Sequence, residues 1–132
     1  MATAENQSVF QRLGGGPAVK AVIDDFYTRI MDDKGLEKFF AGVEMSTLRK
    51  HQFMFMKTIF TKIPDNADVM ILNKHKRLFP MGLNEKHFDM VAGHLVASMN
   101  AHSVPDNLID EVVAIIGPLR AVFEKGAQDC AN

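Results

Sequence analysis

The sequence has little cysteine, no long apolar run, no excess of charge and none of the common catalytic motifs. Cys130 is the only cysteine among 132 residues. One thiol cannot close an internal disulfide, and without a CxxC pair there is no structural zinc site. The longest apolar runs, such as Val112 to Ile116, are far too short to span a bilayer. The first nine residues, MATAENQSV, lack the charged start and apolar block of a secretory signal. Fifteen basic against sixteen acidic residues give a formal charge of −1. That balance argues against a dedicated nucleic-acid binder and against a polybasic membrane-surface protein. There is no GxSxG, no HExxH, no EF-hand loop and no GxGxxG following a strand. Gly14-Gly15-Gly16 lacks the Lys-Ser/Thr that would make it a phosphate loop, so it reads as a helix-ending turn. At 47% hydrophobic residues the chain can bury a sizeable core. The expectation is a soluble, cytoplasmic, single-domain protein.

The residues that are present pattern as helices. Residues 7–13 suit a short first helix, and Pro17 suits the first turn of the next. From Val19 the apolar positions fall at 19, 22, 23, 26, 27, 30 and 31, the stripe of an amphipathic helix running to about Asp32. Leu36, Phe39 and Phe40 follow in a short turn. Ser46 is a candidate N-cap for a helix with Leu48, Gln52, Phe55, Met56 and Ile59 on one face. Lys62 to Asp68 reads as loop, and residues 69–79 as a short helix stopped by Pro80. Asn84 can cap a helix over 85–101 that lines up Phe88, Val91, Leu95 and Met99. The last helix opens at Ser103 to Asp106, with the stripe Leu108, Val112, Ile115, Leu119 and Val122. Pro118 falls inside that stripe and predicts a kink or a restart. Nothing alternates with period two long enough to form a sheet, so the fold class is all-α.

Five histidines stand at 51, 75, 87, 94 and 102. His75 shares an apolar face with Leu72 and Leu78, three residues to either side. His51 adjoins Gln52 on a helix otherwise lined by Phe55, Met56 and Ile59. A neutral imidazole against an apolar wall is what a haem iron needs on its proximal side. Ten phenylalanines and nine methionines suit a flat apolar cofactor, although stripes of this kind are ordinarily core. From the residues alone the reading is a helical domain with a possible haem or hydrophobic-ligand pocket.

The ordered segments LGGGPAVKAVIDDFYTRIMDD, LEKFFAGVEMSTLRKHQ, NKHKRLF, GLNEKHFDMVAGHL and VPDNLIDEVVAIIG resemble a truncated hemoglobin of group I over about residues 8–123. The resemblance implies a two-over-two helical sandwich around haem b. His75 matches the proximal iron ligand of that family. Tyr27, the only tyrosine, matches the distal tyrosine, whose hydroxyl donates to dioxygen. Gln52 matches a second distal donor, and Leu48 stands where vertebrate globins carry the distal histidine. Phe40 matches the phenylalanine wedged against the haem, with Phe39 beside it. Phe55, Leu72, Leu78, Phe88 and Val91 are expected to line the cavity. His87 matches a histidine that approaches a propionate, or serves only as a polar first-turn residue. Lys74, Lys76 and Arg77 read as a solvated face from which one residue can pair with a propionate. His51 matches the position that binds iron directly in some cyanobacterial and algal relatives, giving six-coordinate haem. One helical step separates it from Gln52 by about 100°.

Two departures from the family pattern stand out. Thr61-Lys62 replaces the frequent Gly-Gly pair, and no histidine follows His102, so non-covalent haem is expected. The resemblance implies reversible binding of dioxygen, nitric oxide and carbon monoxide. It also implies a possible nitric oxide dioxygenase activity that needs an external reductase. Two alternatives stay open: a six-coordinate protein of electron transfer or redox stress, and a haem-free helical interaction domain. Cys130 reads as a tail residue.

Overall fold

The computed structural model describes residues 8–62 and 64–131. Gln7, the expected start of the first helix, and Ile63, within the expected loop, lie outside the described residues. Helix α1 (Val9–Arg12) opens with a capping box: Ser8 Oγ accepts the Gln11 N–H at 3.2 Å, and Gln11 Oε1 accepts the Ser8 N–H at 3.1 Å. Gly14 then turns the chain with φ 112°. A Cβ there would lie 2.7 Å from that of Ala18, so only glycine fits.

Helix α2 (Gly15–Met31) buries Val19, Val22, Ile23, Phe26 and Ile30, the predicted stripe. Tyr27 and Met31 sit half-buried at its edge. A 3-10 turn (Glu37–Phe40) follows, with Leu36 and Phe39 buried. Helix α3 (Met45–Thr61) is capped by Glu44 rather than by Ser46. The Glu44 carboxylate accepts the backbone N–H groups of both Ser46 and Thr47, and their hydroxyls too. A carboxylate has lone pairs for all four donors, whereas a serine hydroxyl would satisfy one orphan N–H.

Helix α4 (Ala67–His75) starts two residues before the expected position. It ends at His75, and the chain continues as a 3-10 segment (Lys76–Met81) with Pro80 inside it. Pro80 therefore does not stop an α-helix at Phe79. The change from α to 3-10 winding has already occurred before the proline is reached, so its ring meets no i−4 carbonyl bond to break. Gly82, at φ 102°, closes the segment. Helix α5 (Glu85–Ala101) is capped by Asn84, as expected. Helix α6 (Asp106–Ile116), a 3-10 turn around Pro118 (Gly117–Leu119) and helix α7 (Arg120–Ala131) complete the fold. The restart at Pro118 is as predicted, but α7 carries regular helix well past Val122.

Helix α5 packs against α2 and against α7. Helix α3 lies on α1 and α2, and α4 with its 3-10 extension rests on α7. Phe26, Leu95, Met99 and Val112 are almost wholly buried where these layers meet. Polar ties cross the layers. His94 Nε2 lies 2.7 Å from Asp33 Oδ2, joining α5 to the end of α2. Arg12 holds Glu111 through two nitrogens at 2.8 and 2.6 Å, joining α1 to α6. The Phe79 ring lies against Gly126 of α7, and a Cβ there would fall 2.2 Å from Phe79 Cζ. No helix among the described residues is long and apolar enough to cross a membrane.

Candidate functional site

His75 is the last residue of α4 and is half-buried. Its Nδ1 lies 2.8 Å from the carbonyl oxygen of Ile71. A carbonyl can only accept, so Nδ1 carries the proton and Nε2 keeps its lone pair free. Burial pushes the His75 pKa down, opposed by that hydrogen bond, and favours the neutral ring. The ring lies 5.1 Å from that of Phe123, edge to face, and Phe123 lies 5.2 Å from Phe88. Leu72 and Leu78, three residues to either side, are half-buried as well. His75 thus presents an unprotonated nitrogen in apolar surroundings, with its tautomer fixed by the backbone one turn away. Ile71 and Phe123 were not singled out from sequence. The Phe123 signal was one position away, in a stripe counted to Val122.

The second cluster joins α2 to α3. Tyr27 is half-buried on α2, and its hydroxyl makes no hydrogen bond among the described residues. Arg49 of α3 lies over the Tyr27 ring, 5.1 Å from the centroid. One turn further along α3, Gln52 is half-buried, and its Oε1 is buried without a hydrogen-bond partner. Leu48 is half-buried too. His51 is exposed, whereas Gln52 beside it is half-buried. Phe55 is 36% exposed, although the helix buries Met56, Ile59 and Phe60 deeply.

A third group surrounds the start of α5. His87 Nδ1 accepts the Asn84 N–H at 3.1 Å, the return bond of a capping box. Its ring packs edge to face on buried Phe39 at 4.9 Å, and Lys38 Nζ lies over the Phe39 ring, 5.2 Å from its centroid. Burial, then the Lys38 charge, lowers the His87 pKa. With Nδ1 accepting, Nε2 is left as the donor. The helix-capping reading of His87 is seen directly in the bond of its Nδ1 to Asn84. Phe40 and Val91 are half-buried against the core.

These residues fit a haem. Among the described residues no three His, Cys, Asp or Glu side chains converge on one point, so an iron taken by His75 must bring its own equatorial ligands, as a porphyrin does. The orphaned Gln52 Oε1 is a buried polar atom that the protein itself does not satisfy. Phe55, Leu72, Leu78, Phe88 and Val91 are large apolar side chains left incompletely covered, which a flat apolar ligand would cover.

Comparison with known proteins agrees with this chemistry. A family model for bacterial-like globins matches residues 8–124. The group 1 truncated hemoglobin GlbN of Synechocystis sp. is 37% identical over 83% of this chain and 90% of its own length. That of Mycolicibacterium paratuberculosis is 31% identical over 93% of this chain and 88% of its own. Among solved structures, Chlamydomonas reinhardtii THB4 superposes with a TM-score of 0.80 at 38% identity, covering 89% of this chain and 94% of that one. The 2/2 hemoglobin of Synechococcus sp. PCC 7002, solved in the cyanomet state and with covalently attached heme, gives 0.78 at 31% identity over 88% and 97%. These likenesses leave no place for the haem-free reading. The chain belongs to the bacterial-like globins and, within them, to the group I truncated hemoglobins, all-α haem proteins that bind small gaseous ligands.

Proposed function

We propose that this globin holds haem b non-covalently, takes its iron on His75 Nε2, and binds dioxygen reversibly with Tyr27 and Gln52 as distal hydrogen-bond donors. The observation that carries the reading is the His75 tautomer: Nδ1 donates to Ile71 and leaves Nε2 as a free base in apolar surroundings. Such a backbone bond orients the ring and raises the donor strength of the opposite nitrogen. When bound, haem supplies reversible coordination of small gases and a one-electron redox couple. Tyr27 offers a hydroxyl proton with no competing acceptor among the described residues. Gln52 can turn its amide so that its two Nε2 protons go to a ligand and to the Tyr27 hydroxyl oxygen, which leaves the Tyr27 proton for the ligand. Phe39, Phe40, Leu48, Phe55, Leu72, Leu78, Phe88 and Val91 exclude water, and His87 with Lys38 offers donors to a propionate. Helices α6 and α7 contain no histidine, which supports non-covalent attachment here, unlike the covalent heme of the Synechococcus structure.

The same site can oxidise nitric oxide: nitric oxide, dioxygen and one electron make nitrate. The sequence contains no flavin or nicotinamide motif, so an external reductase returns that electron. His51 as a resting iron ligand requires α3 to rotate by about 100° to bring it where Gln52 now sits. The exposed position of His51 and the covered one of Gln52 favour the open distal site.

Visible spectra of the ferric and dithionite-reduced protein test this. A broad high-spin ferrous band in wild type and in His51→Leu is expected. His75→Gly should lose its normal spectrum and regain it with added imidazole. Sharp low-spin ferrous bands in wild type that vanish in His51→Leu would instead put His51 on the iron. An unaltered His75→Gly spectrum would remove His75 from the mechanism.

A further inference from the structure

Arg49 reaches from α3 across to α2. Its guanidinium carbon lies 5.1 Å from the centroid of the Tyr27 ring, and Nη1 lies 3.8 Å from Asp24 Oδ1. Asp24 stands three residues before Tyr27 on α2, on the same helix face, and also pairs with Lys20 at 3.1 Å. The Arg49 side chain is 48% exposed, while Tyr27 is half-buried. The guanidinium therefore covers the ring from the solvent side. Lys20, Asp24 and Arg49 are the charged groups of this run, and Asp24 tethers Arg49 where the Tyr27 ring face is.

A phenol donates usefully only when its ring is held, because two side-chain torsions set where the hydroxyl points. The Tyr27 hydroxyl has no partner among the described residues that would fix it from the other end. A planar cation stacked on the ring face fixes the ring plane and excludes water from it.

We infer that Arg49 is a positioning residue for Tyr27: its guanidinium, tethered by Asp24, holds the phenol ring in the orientation that aims the hydroxyl at the distal ligand. This rests on Tyr27 being the distal donor. Neither Arg49 nor Asp24 stands out in the sequence, where both are ordinary exposed helix charges.

The test compares wild type, Arg49→Met, Arg49→Lys, Tyr27→Phe and the Tyr27→Phe/Arg49→Met pair, all haem-loaded. Dioxygen release is measured on each. Because the chain has a single tyrosine, ring-labelled tyrosine also gives one ring system to follow by NMR in the diamagnetic ferrous carbonmonoxy protein. Arg49→Met should release dioxygen about threefold faster, the size expected for one exposed cation–π contact. Arg49→Lys should recover part of the difference. The Arg49 substitution should add nothing in the Tyr27→Phe background. The labelled ring should shift in Arg49→Met and move back in Arg49→Lys. If Tyr27→Phe speeds release while Arg49→Met alters neither rate nor ring signal, the Arg49 role is overturned and the donor reading survives. An Arg49 effect that persists without the Tyr27 hydroxyl overturns it as well. If Tyr27→Phe leaves release unchanged, the donor reading falls and this inference falls with it.

Discussion

As the proposed distal donors, Tyr27 and Gln52 should separate on substitution. The Tyr27 hydroxyl has no partner among the described residues, whereas Gln52 has a buried oxygen in need of a donor. A hydrogen bond to a charged or strongly polar acceptor contributes roughly 1.5–3 kcal/mol. Tyr27→Phe should therefore speed dioxygen release by about ten- to a hundredfold, as read by stopped-flow displacement with carbon monoxide. Gln52→Leu should have a smaller effect on release, because it removes a support of the tyrosine and keeps the primary donor. It should also raise the melting temperature of the haem-free protein, since it replaces an unsatisfied buried oxygen with an apolar group. Equal release rates for the two variants would mean that both groups touch the ligand directly.

Among single elements, α3 carries Leu48, Arg49, His51 and Gln52 together. Its start is set by Glu44, whose carboxyl is held down to about 2 by hydrogen bonds from Ser46 and Thr47. A carboxyl with a lowered folded value stabilises fully above its unfolded value, near 4.5, and loses that contribution as the pH falls towards 2. Glu44→Gln should thus melt below wild type at neutral pH, and the difference should close through that acid window when melting is followed by circular dichroism. Helix α5 offers a converse case. Gly93 lies exposed in its interior, and a Cβ there would meet nothing within 4 Å. Gly93→Ala should stabilise by about 0.5–1 kcal/mol in denaturant unfolding. The elements themselves were largely legible. Apolar spacing located α2, the Asn84 cap located α5, and Pro118 located the break before α7. What escaped was local competition between similar signals. Glu44 took the capping role from Ser46 because it could serve four donors, and the winding change at His75 came before the proline that was expected to cause an end.

For the molecule as a whole, the candidate site draws residues from α2, α3, α4, α5 and α7 and from the 3-10 segments after α2 and α4. Haem that occupies it adds binding energy to the folded state alone. The haem-loaded protein should therefore melt well above the same protein after haem removal, and excess haem should raise the transition further. Acid butanone should extract all of the haem; pigment that stayed with the protein would mean a covalent bond and overturn the proposed non-covalent attachment. The legible part of the site was its list of chemically suited residues, fixed by resemblance and spacing. The illegible part was which neighbours set their state. The Ile71 carbonyl that fixes the His75 tautomer is invisible in side-chain patterns, and Phe123 reaches His75 only because α7 restarts at a particular angle after Pro118. Arg49 meets Tyr27 only once α3 crosses α2. Contacts between distant helices depend on crossing geometry, which helical periodicity does not specify.

The seat of Phe79 against Gly126 bears on how long the protein keeps its cofactor. Phe79 lies in the 3-10 segment that directly follows His75, and its ring occupies the space that any larger residue at 126 would take. The segment carrying His75 is thereby keyed into the final turns of α7, beyond the residues matched to the globin family. A chain cut after Glu124 would retain His75, Tyr27 and Gln52 and still lose the Gly126 side of the seat in which Phe79 rests. Its gas affinity on first mixing would change little, while its pigment would bleed away to a scavenging apomyoglobin within a shorter time. Retention as long as that of the full chain would mean that the Phe123 ring, 6.4 Å from Phe79, is enough to seat it.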